Sequence, residues 1–376
     1  MKQICIIGAG ASGCMCAYFL LKHGFDVTIF DYASPLRTLL PTGGGRCNFA
    51  HGEYDFKELV KNYPRGEKFL LSVFSRFSTY DTLALFDELD IPAYTQENGR
   101  IFPTSNSSKD VRDKILNSIK KADFIKEKVN EVLPVDNGYI IKTNKAKYLF
   151  SDVVISVGGG HKIDGLNHNI IPFTPALVGL NADIKTLSGV VLKDVYSADC
   201  KISDDLLFTH FGISGPLTYK ISSIKTKDEF PYKLTFDLYN TEFDLQKLLN
   251  ENPHKDLKNI LSSIFPHRFA EYISGEWAEV KAHNIDGKTR DLILNRVHNF
   301  CINVTGTDKG EETVTAGGYD LKEINPKTME SKLYPHVYIT GEALNIDGFC
   351  GGFNLQNAWS TAFVAAEGII NNYPLP

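Results

Sequence analysis

The residues of this chain whose types and spacing most clearly specify chemistry are Gly8, Gly10, Gly13 and Asp31. They lie in the runs QICIIGAGASG and DVTIFD. Gln3–Ile7 is short, apolar and rich in β-branched residues, which predicts a buried strand. Each glycine then has its own purpose. Gly8 allows a tight turn, Gly10 lets a pyrophosphate approach the backbone, and Gly13 lets helix and strand pack closely. A helix is predicted over about residues 12–23. Its start, with Ala11 and Ser12, offers free N–H groups and a positive dipole end to phosphate. Asp31 ends the second strand about 20 residues on, where a carboxylate accepts from the ribose hydroxyls of an adenosine. A glycine turn alone would carry little weight; strand, helix and acid together predict a bound dinucleotide.

A second set of residues decides which dinucleotide. In LLPTGGGRCN, Gly43, Gly44 and Gly45 precede Arg46, Cys47 and Asn48. Successive glycines present backbone N–H groups to a flat ligand where side chains would clash. Arg46 can pair with phosphate or polarise a carbonyl. A buried strand from Asp152 ends in Gly158 and Gly159, which in a doubly wound sheet line the same crevice as Gly10. Near the C-terminus a strand ends at Gly341-Glu342, Asp347 follows, and Gly351-Gly352-Phe353-Asn354 open a long helix. The acid can reach the ribityl hydroxyls of a flavin. The helix start can face the N1/O2 edge of an isoalloxazine, where negative charge collects on reduction. NAD has no use for this second constellation, so FAD is the expected cofactor. One clear dinucleotide fingerprint is present, so NAD(P)H, as electron donor, would visit transiently.

The third block is LFTHFGISGP, in which Thr209, His210 and Ser214 sit beside glycines that start a helix. His210 suits a proton donor and equally a satisfied structural histidine. Arg46, His210 and Ser214 are the candidates for catalysis. Lys109, Arg112 and Lys114 read as a solvated helix face. With Lys120 and Lys121, or through Lys220, Lys225 and Lys227, they could instead form a basic surface for RNA.

The elements around these blocks follow from composition and pattern. The chain has 376 residues, 43% hydrophobic and 23% charged, with a net charge of −5, which fits a soluble globular protein of two or three domains and gives no global argument for nucleic acid or an anionic membrane. No apolar run is long enough to span a bilayer. The seven cysteines, at 5, 14, 16, 47, 200, 301 and 350, contain no CxxC pair, so no metal site is expected and free thiols fit a reducing cytoplasm. Cys47 and Cys350 flank the glycine loops; a thiol–flavin role is conceivable, but buried, inert cysteines fit better. Helices are predicted over about 55–90, a hairpin with an Asn-Gly turn over Tyr94–Pro103, a helix to about Lys120, and a β-meander of strands near 123–133, 138–142 and 146–150. Composition changes at IIPFTPAL. Beyond it come short strands near 178–183, 189–196, 198–202 and 233–238, then helices near 242–250, 256–264, 267–274 and 287–297. The expected fold is α/β, a Rossmann-like domain (1–176 and 313–376) split by an inserted β-barrel-like and helical domain (177–312).

The blocks GAGASG, TGGGRCN and FTHFGISGP, with the ending ETVTAGGYDLKEINPKTMESK…YITGEALNIDGFCGGFNLQNAWSTA, resemble a bacterial family of three-domain NAD(P)/FAD-dependent oxidoreductases of the BaiN/RdsA type. The resemblance covers the whole chain. It implies FAD held at Gly8, Gly10, Gly13, Asp31, Arg46, Gly158, Glu342, Asp347, Gly352 and Asn354. Two departures stand out: the adenosine acid is usually Glu, and Thr38 stands where a basic residue often precedes Leu-Leu. The resemblance further implies hydride transfer from reduced flavin to a polarised C=C bond, in an enone or in uridine of ribosomal RNA. The alternatives are oxidation of a small amine or carbonyl compound by O2, and a non-catalytic flavin module relaying electrons. A small molecule or ribosomal RNA is the expected partner, with neither membrane nor metal involved.

Overall fold

The structure is a computed structural model and describes residues 3–239, 243–308 and 314–373. The domain boundary expected at 312/313, and the first two residues of the C-terminal block, lie outside the described residues. The chain divides into two compact units, Met1–Thr174 with Val314–Pro376, and Pro175–Thr313. Each has its own apolar core.

The first unit is built on a five-stranded parallel sheet. Its order is Val337–Ile339, Asp152–Ile155, Gln3–Ile7, Asp26–Phe30 and Asp123–Ile125. Ile4, Cys5, Ile6, Val153, Val154 and Ile155 are all fully buried, as near-continuous apolar strands of a two-sided parallel sheet must be. Sequence neighbours diverge at Gln3–Ile7: Asp26–Phe30 lies on one side and Asp152–Ile155 on the other. The switch point, where ligands bind in such sheets, is therefore off the carboxyl ends of these strands. Asp123–Ile125, expected in the meander, belongs instead to this sheet, in register with Thr28–Phe30. The charged residues 126–128 separate it from the true meander of Val129–Val135, Gly138–Thr143 and Lys147–Phe150. Helices Ala11–Lys22 and Phe353–Asn372 pack on each other. Both are buried along most of their length, which explains why neither shows a polar stripe. The hairpin Ala93–Thr95/Arg100–Pro103 turns at Asn98-Gly99 and takes Ala50–His51 as a third strand.

The second unit is a closed barrel of six strands. They run in the order Leu180–Ala182, Gly212–Ser214, Ile202–Phe208, Val191–Ser197, Tyr232–Asp237 and Phe300–Thr307. Closure removes the free edges that would otherwise invite aggregation. The strand expected at 198–202 is displaced to Ile202–Phe208. Residues 198–201 form a turn in which Lys201 adopts φ 56° and its N–H donates to the Ser197 carbonyl at 2.8 Å. Phe300–Thr307, absent from the sequence expectation, pairs with both Leu180–Ala182 and Tyr232–Asp237 and so completes the barrel. Helices Leu245–Glu251, Leu257–Leu261, His267–Ser274 and Gly287–His298 belong to the same unit. Among the described residues, no helix is long and apolar enough to cross a membrane.

Candidate functional site

The glycine turn off Gln3–Ile7 is sterically over-determined at two of its three glycines. Gly8 has φ 106°, and a Cβ there would fall on the Ser156 carbonyl oxygen. A Cβ on Gly13 would fall on the carbonyl oxygen of Gly8. Gly10 differs: its φ is −79° and nothing lies within 4 Å of where its Cβ would be. It caps the N-terminus of Ala11–Lys22, so the open space lies in front of unpaired helix N–H groups. Beside it the hydroxyl of Ser12 is buried without a hydrogen-bond partner. Asp31 reaches back over this turn. Its carboxylate accepts from the Ala9 N–H and the Ala33 N–H, both at 2.7 Å. A carboxylate has about four acceptor positions, so these two bonds fix the turn and leave capacity for hydroxyls.

Asp31 also borders a solvent-open cleft of about 490 Å³ at the carboxyl ends of the central strands. Tyr32, Lys128, Val129, Lys162 and Ile163 line it as well. None of these was singled out in the sequence. Tyr32 could have been, because it follows the acid; the others come from segments about 100 residues later.

The loop after Pro41 is a tight left-handed path. Gly43, Gly44 and Gly45 have φ of 58°, 68° and 82°, and Cys47 follows at 66°. A Cβ on Gly43 would lie 2.7 Å from the Asn48 nitrogen, whereas Gly44 and Gly45 face open space. The Arg46 guanidinium lies over the Phe102 ring, its carbon 4.2 Å from the ring centroid, and its Nε donates to the Gly43 carbonyl. The Asn48 amide, in its satisfied orientation, donates to the Ala50 and Ile101 carbonyls and accepts from the Gly352 N–H at 3.1 Å. Asn48 thus joins this loop to the start of the C-terminal helix. That bond connects residues 304 positions apart and has no local sequence signal.

The C-terminal constellation is held just as firmly. Glu342 accepts from the Thr315 N–H at 3.0 Å, and a Cβ on Gly159 would lie 2.9 Å from its carboxyl, so Gly159 makes room for this acid. Gly158, at φ 78°, faces open space. The Gly341 N–H donates to Thr361 on the C-terminal helix. Asp347 is fully buried, and its carboxylate forms a two-pronged pair with Arg65. Its part in the site is to hold this loop rather than to present an acid to the cleft. Arg65 was not recognised in the sequence. Asn354 also turns inward: its amide accepts from the Gly348 N–H and donates to the Gly348 carbonyl, both at 2.8 Å. The helix start is left with Gly351 and Gly352 at φ 148° and 95°. A Cβ on Gly352 would fall on the Ala50 carbonyl oxygen.

The remaining candidates divide. Ser214, in the barrel unit, is 7% exposed and donates to the Tyr219 hydroxyl at 3.2 Å. It stands at the N-cap position of helix Gly215–Ile224 without a side-chain cap bond, and its hydroxyl is engaged by Tyr219 inside the unit. His210, in the same unit, is exposed and packs edge-on to Phe211. Of the lysines and arginines, Lys220 pairs with Asp204, Lys225 with Asp228, and Lys114 with Asp90 and Asp110. Arg112 donates to Pro35 and Ser34. Lys109, Lys120, Lys121 and Lys227 stay exposed. Cys47 is fully buried, and burial pushes its thiol up to about 12, so it stays a neutral thiol. Replacing Cys47 and Cys350 by Ser is expected to leave flavin turnover unchanged. In the native protein a thiol reagent should label Cys301 and Cys350, which are exposed, and spare Cys47. Among the described residues, no cluster of His, Cys, Asp or Glu could hold a metal ion.

An FAD fits what is present. Gly10, Ala11 and the orphaned Ser12 hydroxyl would receive the pyrophosphate, Asp31 the adenosine ribose, and Glu342 the ribityl chain. The open glycines 44, 45 and 158 and the helix start at Gly352 would receive the ring system.

The comparisons agree with this geometry. The model described as HI0933-like protein Rossmann domain matches residues 2–368, and the chain belongs to that family. It is 29% identical over 397 residues to the ribosomal RNA dihydrouridine synthase of Escherichia coli (strain K12), covering 97% of each chain. It is 23% identical over 415 residues to the 3-dehydro-bile acid delta(4,6)-reductase of Clostridium scindens, covering 98% of each. Among solved structures, the 3-ketosteroid delta1-dehydrogenase of Sterolibacterium denitrificans superposes with a TM-score of 0.52 at 11% identity, covering 99% of this chain and 100% of that one; this likeness speaks for the fold. The chain is an FAD-dependent oxidoreductase of its family.

Proposed function

We propose that this member of the HI0933-like family reduces the C5=C6 bond of uridine in ribosomal RNA, with NAD(P)H as the electron donor. The observation that carries the reading is the pair of helix starts on one unit, the open one at Gly10 with Asp31 beside its turn and the glycine-built one at Gly352, together with the acid Glu342. The similarity to a ribosomal RNA dihydrouridine synthase, which runs along nearly the whole length of both chains, favours uridine as the acceptor. Uracil is itself an enone, its C5=C6 bond being conjugated to the C4 carbonyl. The same chemistry would therefore serve a steroid-like enone, the alternative acceptor.

FAD, when bound, supplies hydride chemistry at N5. The chain has to do the rest. Reduction places a hydride on C6 and a proton on C5, and negative charge passes through the C4 oxygen between the two. A fixed cation beside that oxygen lowers the barrier. Arg46 is the candidate, because its cation–π contact with Phe102 and its bond to Gly43 hold its guanidinium in place. The helix start at Gly352, fixed by Asn48, would favour negative charge on a neighbouring ring. On the barrel unit, exposed His210 is the candidate proton donor.

The test is anaerobic stopped-flow absorbance of the FAD-loaded protein with NADH and NADPH, followed by uridine-containing ribosomal RNA or an enone. Bleaching by a pyridine nucleotide and reoxidation by the RNA are the expected results. Arg46→Met should slow reoxidation about 100-fold, the cost of removing one fixed charge donor, with slower bleaching not required. Reoxidation by the enone alone would move the substrate assignment. No bleaching by either nucleotide would defeat the proposed donor, and reoxidation by O2 alone would point to an oxidase.

A further inference from the structure

His51 is a titratable group that the proposed chemistry does not use, yet it lies against the helix start that chemistry needs. It ends the short strand Ala50–His51, three residues after Asn48. Its ring stacks on Phe353, with centroids 4.7 Å apart and planes 24° from parallel. Its Cδ2 would be 3.4 Å from a Cβ on Gly351. On the other side, a Cβ on Gly99 would lie 2.5 Å from Cε1 and 2.6 Å from Nε2, so the hairpin glycine is what leaves space for the ring. Nδ1 is buried and has no hydrogen-bond partner.

We infer that His51 is a positioning residue: its neutral imidazole holds the Gly351–Phe353 turn in the shape that receives the flavin, and protonating it releases that turn. This rests on the reading of Gly351–Phe353 as part of the FAD site. A neutral imidazole needs only one donor and can leave Nδ1 as an idle acceptor. An imidazolium has a donor on each nitrogen, and here one of them would be buried without an acceptor. The charged groups that act on the ring are Glu53 on its own segment and Arg100 on the hairpin strand. From the C-terminal loop it meets Gly351 and Phe353, neither of them charged. Tyr63, which donates to the Phe353 carbonyl, stays a neutral phenol because burial raises its pKa well above the usual value. Burial lowers the pKa of His51, outweighing the backbone of Asn98 and then Glu53, both of which pull it up, while Arg100 adds to the lowering. A depressed histidine favours the ordered state at neutral pH and disfavours it as pH falls through 6.5 and below. FAD affinity should therefore weaken on the acid side.

The test uses the full chain without FAD, titrated with FAD by flavin fluorescence at pH 7.5 and pH 5.0. The wild type should bind several-fold more weakly at pH 5.0 than at pH 7.5, because the bound form excludes the proton that the free protein accepts. His51→Phe keeps a ring for the stack and removes the titration. It should bind within about threefold of wild type at pH 7.5 and show no acid loss. His51→Gln keeps neither and should bind more weakly by the same factor at both pH values. Melting curves of both variants verify that they fold. An acid loss that persists in both variants, or a flat wild-type profile, overturns the role of His51 and leaves the functional reading standing. A wild type that binds no FAD at pH 7.5 defeats both.

Discussion

Gly13→Ala should disrupt the nucleotide-binding unit, while Gly10→Ala should leave it folded and remove the cofactor. The two glycines are three residues apart in one motif, yet they meet opposite surroundings. An added methyl on Gly13 falls on the carbonyl oxygen of Gly8. That oxygen is backbone, fixed by a turn whose own glycine is pressed on Ser156, so neither side can yield cheaply. Overpacking of this kind costs about 1–3 kcal/mol and often more. At Gly10 the methyl enters open space, and the backbone at φ −79° and ψ −170° accepts alanine. Loss of glycine's freedom in the unfolded chain should then stabilise the apoprotein by about 0.4–1 kcal/mol. The same methyl stands where a pyrophosphate would approach, and an affinity loss of about 100-fold, or ~2.8 kcal/mol, is expected. Calorimetry of the apoproteins and FAD titration separate the two effects. A Gly10→Ala protein that binds FAD like wild type would remove the pyrophosphate from this turn.

Asp347→Ala should be the most damaging change among the acids of the site. Asp347 is wholly buried and its partner Arg65 is 14% exposed at the side chain. Removing the carboxylate takes the two-pronged ion pair away from a poorly solvated guanidinium, which costs about 3–5 kcal/mol. At about 2–4 °C per kcal/mol, the melting temperature should fall by roughly 10 °C. FAD retention should fall with it, because the pair anchors the segment that leads into Gly351 and Gly352. Replacing both partners with apolar residues, Arg65→Met with Asp347→Leu, should recover much of the melting temperature. A double-mutant cycle in which the two single losses simply add would mean that the pair is not coupled.

Much of this was legible in the sequence, for identifiable reasons. The strand, glycine turn, helix and acid of residues 3–31 signal one another within 30 residues, and glycine tolerates the demanded geometry where other residues do not. The glycine loop at 43–45 and the glycine start at 351–352 were legible in the same way. What could not be read were pairings over long separations. Arg65 with Asp347 and Asn48 with the Gly352 N–H are specified by the folded backbone rather than by local pattern. Asp347 and Asn354 have the residue types of ligand-facing groups, but the fold engages both internally. The sheet strand at Asp123–Ile125 was hidden by its shortness and by the hairpins that follow it. The barrel strand Ile202–Phe208 was masked by the glycine-rich block that begins within it.

The discontinuity of the first unit has a consequence for how the protein is made. Strand Val337–Ile339 completes the parallel sheet beside Asp152–Ile155, and the helix that packs on Ala11–Lys22 comes later still. During synthesis at ~5–20 residues per second, the early strands would wait on the order of 10–40 s for these partners. Throughout that interval the first glycine turn exists without the C-terminal half of its cradle, and one edge of the sheet is bare. The barrel, whose strands all lie between residues 180 and 307, can close first. Flavin loading therefore follows synthesis of the Val337–Ile339 strand and the Phe353–Asn372 helix, and a chain that stops before that helix has a nucleotide fingerprint and nowhere to keep the nucleotide.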